Sequence, residues 1–236
     1  AVSEALTNMV FAPLSEGLQS VSLSANWMWP CRNRGEDARL YKAVEACSDF
    51  ASELGINIPT GKDSLSMTQK YGDEKVYSPG TVIISAAAEV KNIRRIVSPV
   101  LAYIKGTYLY YIDFSFDTFK LGGSAFAQTM GRVGDEVPTV NDSEYFKNAF
   151  AAVQELTSRG LILAGHDISA GGLVTTLLEM CFANPQGGIE AHLDKIRHAD
   201  LIKILFSENP GVVIQVKHHR LVEKILEDYG VGFAIV

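Results

Sequence analysis

Apolar side chains recur every three to four residues over 36–54. Leu40, Ala43, Val44, Cys47, Phe50, Ala51 and Leu54 fall on one side, which predicts the clearest helix of the chain. Gly55 follows where a left-handed C-terminal cap belongs. The same period predicts helices at 3–11, at 143–158 up to Gly160, at about 170–183, and at 219–229 before Gly230. Residues 18–25 alternate apolar with small polar side chains and predict a half-buried strand. Largely apolar runs predict strands at 79–90, 161–165 and 211–216. A short strand at 56–58 leads into Pro59-Thr60-Gly61, a second run of structure begins at 107–113 after a break at 91–99, and 233–236 starts a last strand with no partner after it. Helices and strands so interleaved give an α/β or α+β fold in two parts, divided near residue 95.

With 236 residues, 47% of them hydrophobic, the chain can bury one large core or two modest ones. A net charge of −6 without any basic tract argues against nucleic acid as a partner, because that needs clustered Lys and Arg. Cys31, Cys47 and Cys181 are widely spaced, so neither a disulfide framework nor a zinc cluster is expected, and free thiols suit a reducing cytoplasm. No apolar run approaches the ~20 residues that span a bilayer, and Ala-Val-Ser-Glu is not the start of a signal peptide. Without an initiator Met, and with its last strand barely begun, the chain reads as cut from something longer at both ends.

Three stretches carry groups that suit phosphate and metal chemistry. Pro59-Thr60-Gly61-Lys62-Asp63-Ser64-Leu65-Ser66-Met67 lies where a strand should end. Gly61 allows close approach of the backbone to a ligand, Lys62 is a point charge for phosphate, Asp63 is a hard oxygen ligand for magnesium, and Ser64 and Ser66 add hydroxyls. It is not a Walker A loop: five residues separate Gly55 from Gly61, and Asp63 follows the lysine. On composition alone an ordinary solvated turn is the better reading. In Gly165-His166-Asp167-Ile168-Ser169-Ala170-Gly171-Gly172-Leu173 an apolar strand delivers Asp167 to its carboxyl end, and Ser169 stands where a helix begins. Helix capping would also account for an Asp and a Ser there. Glu4 and Asn8 are four apart and share a helix face, where two oxygens can hold a magnesium ion or simply face water. Two tryptophans in 24–30 read as packing, and Glu208 in 206–211 reads as an acid in a turn before a strand.

Taken in order, Glu4-Ala5-Leu6-Thr7-Asn8, Leu23-Ser24-Ala25-Asn26-Trp27-Met28, Gly35-Glu36-Asp37, the Gly61–Met67 stretch and His166-Asp167-Ile168-Ser169-Ala170-Gly171-Gly172-Leu173 resemble the large, single-chain formylglycinamide ribonucleotide amidotransferases. The resemblance covers the whole chain. It implies the second half of a synthetase core related to aminoimidazole ribonucleotide synthetase: residues 1–95 an incomplete N-terminal-type α/β domain, 96–236 a C-terminal-type α+β domain. It also implies an ATP-dependent ligase that acts on formylglycinamide ribonucleotide with glutamine as amide donor, and that this piece alone is not a complete catalyst. The Cys-His-Glu triad of the glutaminase domain belongs elsewhere in such a polypeptide. Glu4, Asn8 and Asp167 match magnesium ligands and Ser169 a nucleotide contact, in a site thought to be structural in the large enzymes. Lys62, Asp63 and Ser64 match catalytic positions, and Gly61 and Ser66 belong to the same nucleotide-contacting loop. ATP or ADP and magnesium are the implied cofactors, with a further metal-binding acid expected before residue 1. The remaining domains of the parent are the implied partners, and an uncovered sheet edge predicts that the piece can pair with a second copy. Related synthetases and kinases of the superfamily carry Gly-Gly-Asp/Glu-Thr where this chain has Gly-Lys-Asp-Ser. A non-catalytic scaffold half is the other alternative.

Overall fold

The computed structural model describes residues 1–184, 187–196 and 200–236. The first part holds helix α1 (Val2–Met9), strand β1 (Ser22–Met28), helix α2 (Glu36–Leu54) and strands β2 (Asn57–Ser64), β3 (Thr68–Tyr71), β4 (Glu74–Tyr77) and β5 (Thr81–Ala87). The second part holds β6 (Tyr108–Asp113), α3 (Ala125–Thr129), α4 (Ser143–Ser158), β7 (Ile162–Asp167), α5 (Gly172–Phe182), α6 (Leu201–Phe206), β8 (Gly211–Val216), α7 (His219–Asp228) and β9 (Phe233–Ile235).

β1 is the middle of a three-stranded sheet, parallel to β2 and antiparallel to β5. The first strand begins at Ser22 rather than 18, because Gly17–Ser20 winds into a 3-10 turn. β2 corrects a second expectation. The strand does not end before the Gly-Lys-Asp-Ser stretch but carries it as far as Ser64. β3 and β4 form a separate exposed hairpin that the hydrophobic pattern did not suggest, since neither strand has a buried face to generate one. The second sheet runs β7-β8-β6-β9 and is antiparallel throughout. β8 is buried along its whole length, which explains its nearly unbroken apolar run. The last strand does have a partner: it pairs backwards with β6, Tyr110 opposite Ile235.

α4 joins the two sheets. Phe146, Phe150, Val153 and Leu156 recur along one face and are fully buried against Leu6, Val10 and Leu14 of the first part and Ile112 and Ile214 of the second. Phe50 of α2 and Phe114 meet Phe146 edge-on at 5.6 and 5.4 Å, so one aromatic side chain bridges both halves of the core. Gln154 adds a polar latch on that face. Its amide nitrogen donates to the carbonyls of Val10 (2.7 Å) and Ala12 (2.8 Å), and its carbonyl accepts the Leu14 N–H (2.9 Å). Substituting Gln154→Leu would strand three backbone groups in an apolar setting. Urea unfolding is expected to show a loss of about 2–3 kcal/mol; an unchanged midpoint would mean that water replaces the latch.

Candidate functional site

The site begins with a packing contact. Gly165 is bare backbone in β7, and a Cβ there would overlap the ring of Phe11, which follows α1. Phe11 therefore packs directly on the strand backbone and holds α1 against it. Two residues further along the same strand face stands Asp167, and one helical turn before Phe11 stands Asn8. The two meet: the Asn8 amide nitrogen donates to Asp167 Oδ2 at 3.2 Å, and to the Glu4 carbonyl at 3.3 Å. That spends the nitrogen and leaves the Asn8 carbonyl oxygen for a cation.

Asp167 is only 6% exposed. Its backbone carbonyl takes the Thr176 hydroxyl of α5 (3.0 Å), and its second carboxylate oxygen lies 3.3 Å from His166 Nδ1. His166 also faces Glu179 across 3.1 Å. The hydrogen bond with Asp167 outweighs burial and lifts the His166 pKa above its ordinary 6.5. Glu4 and Asn8 sit one turn apart on the open side of α1, with Asp167 opposite Asn8.

A cavity of about 630 Å³ opens beside this group. Glu4, Ile168, Ser169, Ala170, Gly122, Gly123 and Glu208 line one end, and Trp27, Val82, Ile84, Ala43, Cys47 and Phe50 form an apolar wall at the other. The described lining residues include Glu4, Asp49, Glu53 and Glu208 but no Lys or Arg. Among the described residues no three His, Cys, Asp or Glu side chains are grouped to hold a metal. The donor set here is one buried carboxylate, one amide oxygen and an exposed glutamate. That set fits magnesium, which takes one or two protein carboxylates and fills its shell from phosphates and water.

The Gly-Lys-Asp-Ser stretch lies elsewhere. Asn26 pairs with Lys62 and Ile83, and Trp27 with Asp63 and Val82. Lys62 and Ser64 thus share one face of the sheet with Asn26, while Asp63 stands on the other with Trp27. Gly61, Lys62, Asp63 and Ser66 are exposed and Ser64 half-buried, and none of them lines the cavity. Gly61 has a packing reason of its own, since a Cβ there would overlap the Ala25 carbonyl oxygen across the parallel pair. The structure therefore brings Glu4, Asn8, Asp167 and Ser169 together and leaves Lys62 and Asp63 on opposite sides of an open edge strand.

Sequence reasoning missed the second layer. Asp113 accepts from Ser115 N (3.0 Å), Ser115 Oγ (2.7 Å) and Phe116 N (2.9 Å), and so folds the loop that leads to Gly122 and Gly123. Asn209 donates to Ser115 Oγ and to the Thr118 carbonyl, each at 3.2 Å. Only the run of Asp, Ser and Thr at 113–118, typical of side-chain-to-backbone turns, signals this network in the sequence.

Two domain families match the chain: an FGAR-AT PurM_N-like domain over residues 1–89 and the AIR synthase related protein, C-terminal domain, over 117–236. The chain belongs to the AIR synthase related family. It is 40% identical over 230 residues to human phosphoribosylformylglycinamidine synthase, covering 97% of the chain and 17% of that protein. A probable chloroplastic/mitochondrial phosphoribosylformylglycinamidine synthase of Arabidopsis thaliana is 42% identical over 224 residues, which are 94% of the chain and 16% of that protein. The chain thus spans about one sixth of the curated relatives it matches. The fold also matches T. maritima PurL complexed with FGAR (TM-score 0.71, 17% identity, 99% of this chain and 37% of that one) and the same protein complexed with ATP (TM-score 0.70, 16% identity, 100% and 35%). No described helix is long and apolar enough to cross a membrane.

Two outcomes test this layout. Gly165→Ala is expected to cost about 1–3 kcal/mol, because the Phe11 ring must move, and nuclear magnetic resonance should show the Asn8 side-chain amide shifting as its contact with Asp167 breaks. An unshifted amide would show that Phe11 does not set the site. Burial opposes ionisation of Asp117, yet the Lys120 ammonium 2.6 Å away holds its pKa below the ordinary 3.8. The ionised group therefore stabilises the folded state above about pH 4, and that contribution is lost as the pH falls through the lowered pKa. The stability gap between wild type and Asp117→Asn should be constant from neutral pH down to about 5 and close at lower pH; a gap that widens on acidification would contradict the assignment.

Proposed function

We propose that this chain is one half of the synthetase core of an ATP-dependent carbon–nitrogen ligase acting on formylglycinamide ribonucleotide in purine biosynthesis. The observation that carries this reading is the Asn8–Asp167 contact beside a cavity of about 630 Å³ that Glu4 and Ser169 line at one end and apolar side chains at the other. An adenine ring suits the wall of Trp27, Val82 and Ile84, and the phosphates then face Ser169. Because the described lining is acidic without a balancing Lys or Arg, a nucleotide anion needs a cation with it. Asp167, Asn8 and Glu4 are the residues to hold magnesium, which offsets phosphate charge when bound. Support for the nucleotide comes from the ATP complex of T. maritima PurL, and for the substrate from its FGAR complex.

In the full reaction, ATP phosphorylates the amide oxygen of the substrate. Ammonia derived from glutamine then displaces phosphate to form the amidine. We assign Lys62 to phosphate, Asp63 to metal and Ser64 to positioning in that reaction, with Gly61 and Ser66 contacting nucleotide, once the uncovered sheet meets the rest of the parent polypeptide. The stretch is exposed here, as residues awaiting such a partner must be. Glutamine hydrolysis falls to a domain outside this chain, the division near residue 95 separates the two domain types, and the parent works in the cytoplasm.

Calorimetry of the chain with ADP and magnesium is expected to show saturable binding that EDTA abolishes. Asp167→Asn should weaken it by about tenfold or more, ~1.4 kcal/mol per decade. Full binding in EDTA, or no binding by wild type, would overturn the nucleotide reading. In the intact polypeptide Asp63→Asn should abolish amidine formation while the unfolding temperature stays within about 2 °C.

A further inference from the structure

Ser207, Glu208 and Asn209 precede β8 in extended backbone and send their side chains two ways. Ser207 and Asn209 are buried: Ser207 Oγ donates to the Lys120 carbonyl at 3.0 Å, and Asn209 bonds Ser115 and Thr118. Glu208 turns the other way and lines the cavity. A single oxygen of its carboxylate, Oε1, accepts two backbone N–H groups at 2.8 Å each, from Gly171 ahead of α5 and from Ala125, the first residue of α3. Those segments adjoin Ser169–Ala170 and Gly122–Gly123, the two stretches that face each other at the polar end of the cavity.

Gly122 and Gly123 donate to the Glu136 and Val133 carbonyls at 2.8 and 2.7 Å on their own side of the cavity, whereas Glu208 bonds both loops at once. Gly171 has φ +91° and Gly172 φ +73°, and a Cβ at Gly172 would meet the Leu205 and Ser207 carbonyl oxygens at 2.7 and 2.8 Å, so this backbone is pressed directly onto the segment that carries Glu208. Ser124 caps α3 from its own side chain, which leaves the Ala125 N–H to Glu208. A charged acceptor shared by two N–H groups is a strong tie for its size.

We propose that Glu208 is the positioning residue of this cavity, holding the 121–125 loop at a fixed distance from the 169–172 loop so that Ser169 meets the bound phosphates. This rests on the nucleotide reading given above. The role belongs to the hydrogen bonds, not to the charge, because both go to one oxygen and an amide oxygen can replace it.

Glu208→Ala and Glu208→Gln separate the possibilities. Hydrogen exchange tests the clamp without any ligand. The Gly171 and Ala125 amides should exchange about tenfold faster or more in Glu208→Ala and stay within about threefold of wild type in Glu208→Gln. Titration with magnesium and ADP tests its purpose: affinity should fall about tenfold or more in Glu208→Ala and be rescued to within about threefold in Glu208→Gln. Unchanged exchange in Glu208→Ala overturns the clamp. Equal losses of affinity in both variants also overturn it, by making the carboxylate charge itself the requirement. If wild type binds no nucleotide, the reading of the cavity fails while the exchange rates still decide the clamp.

Discussion

An aromatic ring can press onto the backbone of a β-strand only where the strand offers no side chain, and Gly165 provides that place for Phe11. Much else follows from this contact. It fixes the angle and register of α1 against β7, so that Asn8, one turn back on the helix, reaches Asp167, two residues on along the strand, across 159 positions of sequence. A carboxylate as buried as Asp167 has to be paired, and Asn8 and His166 pair it. The result is an amide–carboxylate contact beside a cavity, built from one helix of the first part and one strand end of the second.

Around that contact the molecule is tight in some places and unfinished in others. α4 welds the two sheets through Phe146, Phe150 and Gln154, and the 113–125 loop is stapled to the segment before β8 by Ser207, Glu208 and Asn209. By contrast β2, the β3–β4 hairpin and the first half of α2 stand largely in solvent, with Tyr41, Tyr71 and Tyr77 exposed. Exposed aromatic residues on marginal elements such as a lone hairpin mark surfaces that other protein covers. The matched synthases are about six times longer than this chain, and under the proposed function the rest of such a polypeptide is the cover. The closed part of the molecule carries the candidate nucleotide cavity, and the open part carries Lys62 and Asp63.

Legibility in the sequence followed burial. The C-terminal half of α2, α4, β8 and the caps at Gly55 and Gly160 show in the pattern because one face, or both, meets the core, whereas the apolar spacing of the first half of α2 continues onto a surface that is largely in solvent. β3 and β4 have no such face, and β2 hides its strand character behind Pro59, Gly61 and exposed charges; the parallel pairing with β1 that extends it to Ser64 is a tertiary effect. Asp167 and Ser169 were legible as a strand end before a helix, and Glu4 with Asn8 as a helix face. Their meeting was not, because local periodicity says nothing of which helix crosses which strand. Glu208 looked like an acid in a turn, and its part in joining two distant loops exists only once the chain has folded.

Manganese(II) bound with ADP offers the most direct test of the metal-and-nucleotide site, because an unpaired-electron spin broadens nearby resonances steeply with distance. Titrated into the isotopically labelled chain at substoichiometric levels, it should bleach the signals of Asn8, Asp167 and Ser169 first, leave the β3–β4 hairpin sharp, and spare all of them in Asp167→Asn. Broadening centred on Asp63 or spread evenly over the surface carboxylates would contradict the placement of magnesium and nucleotide between α1 and the end of β7.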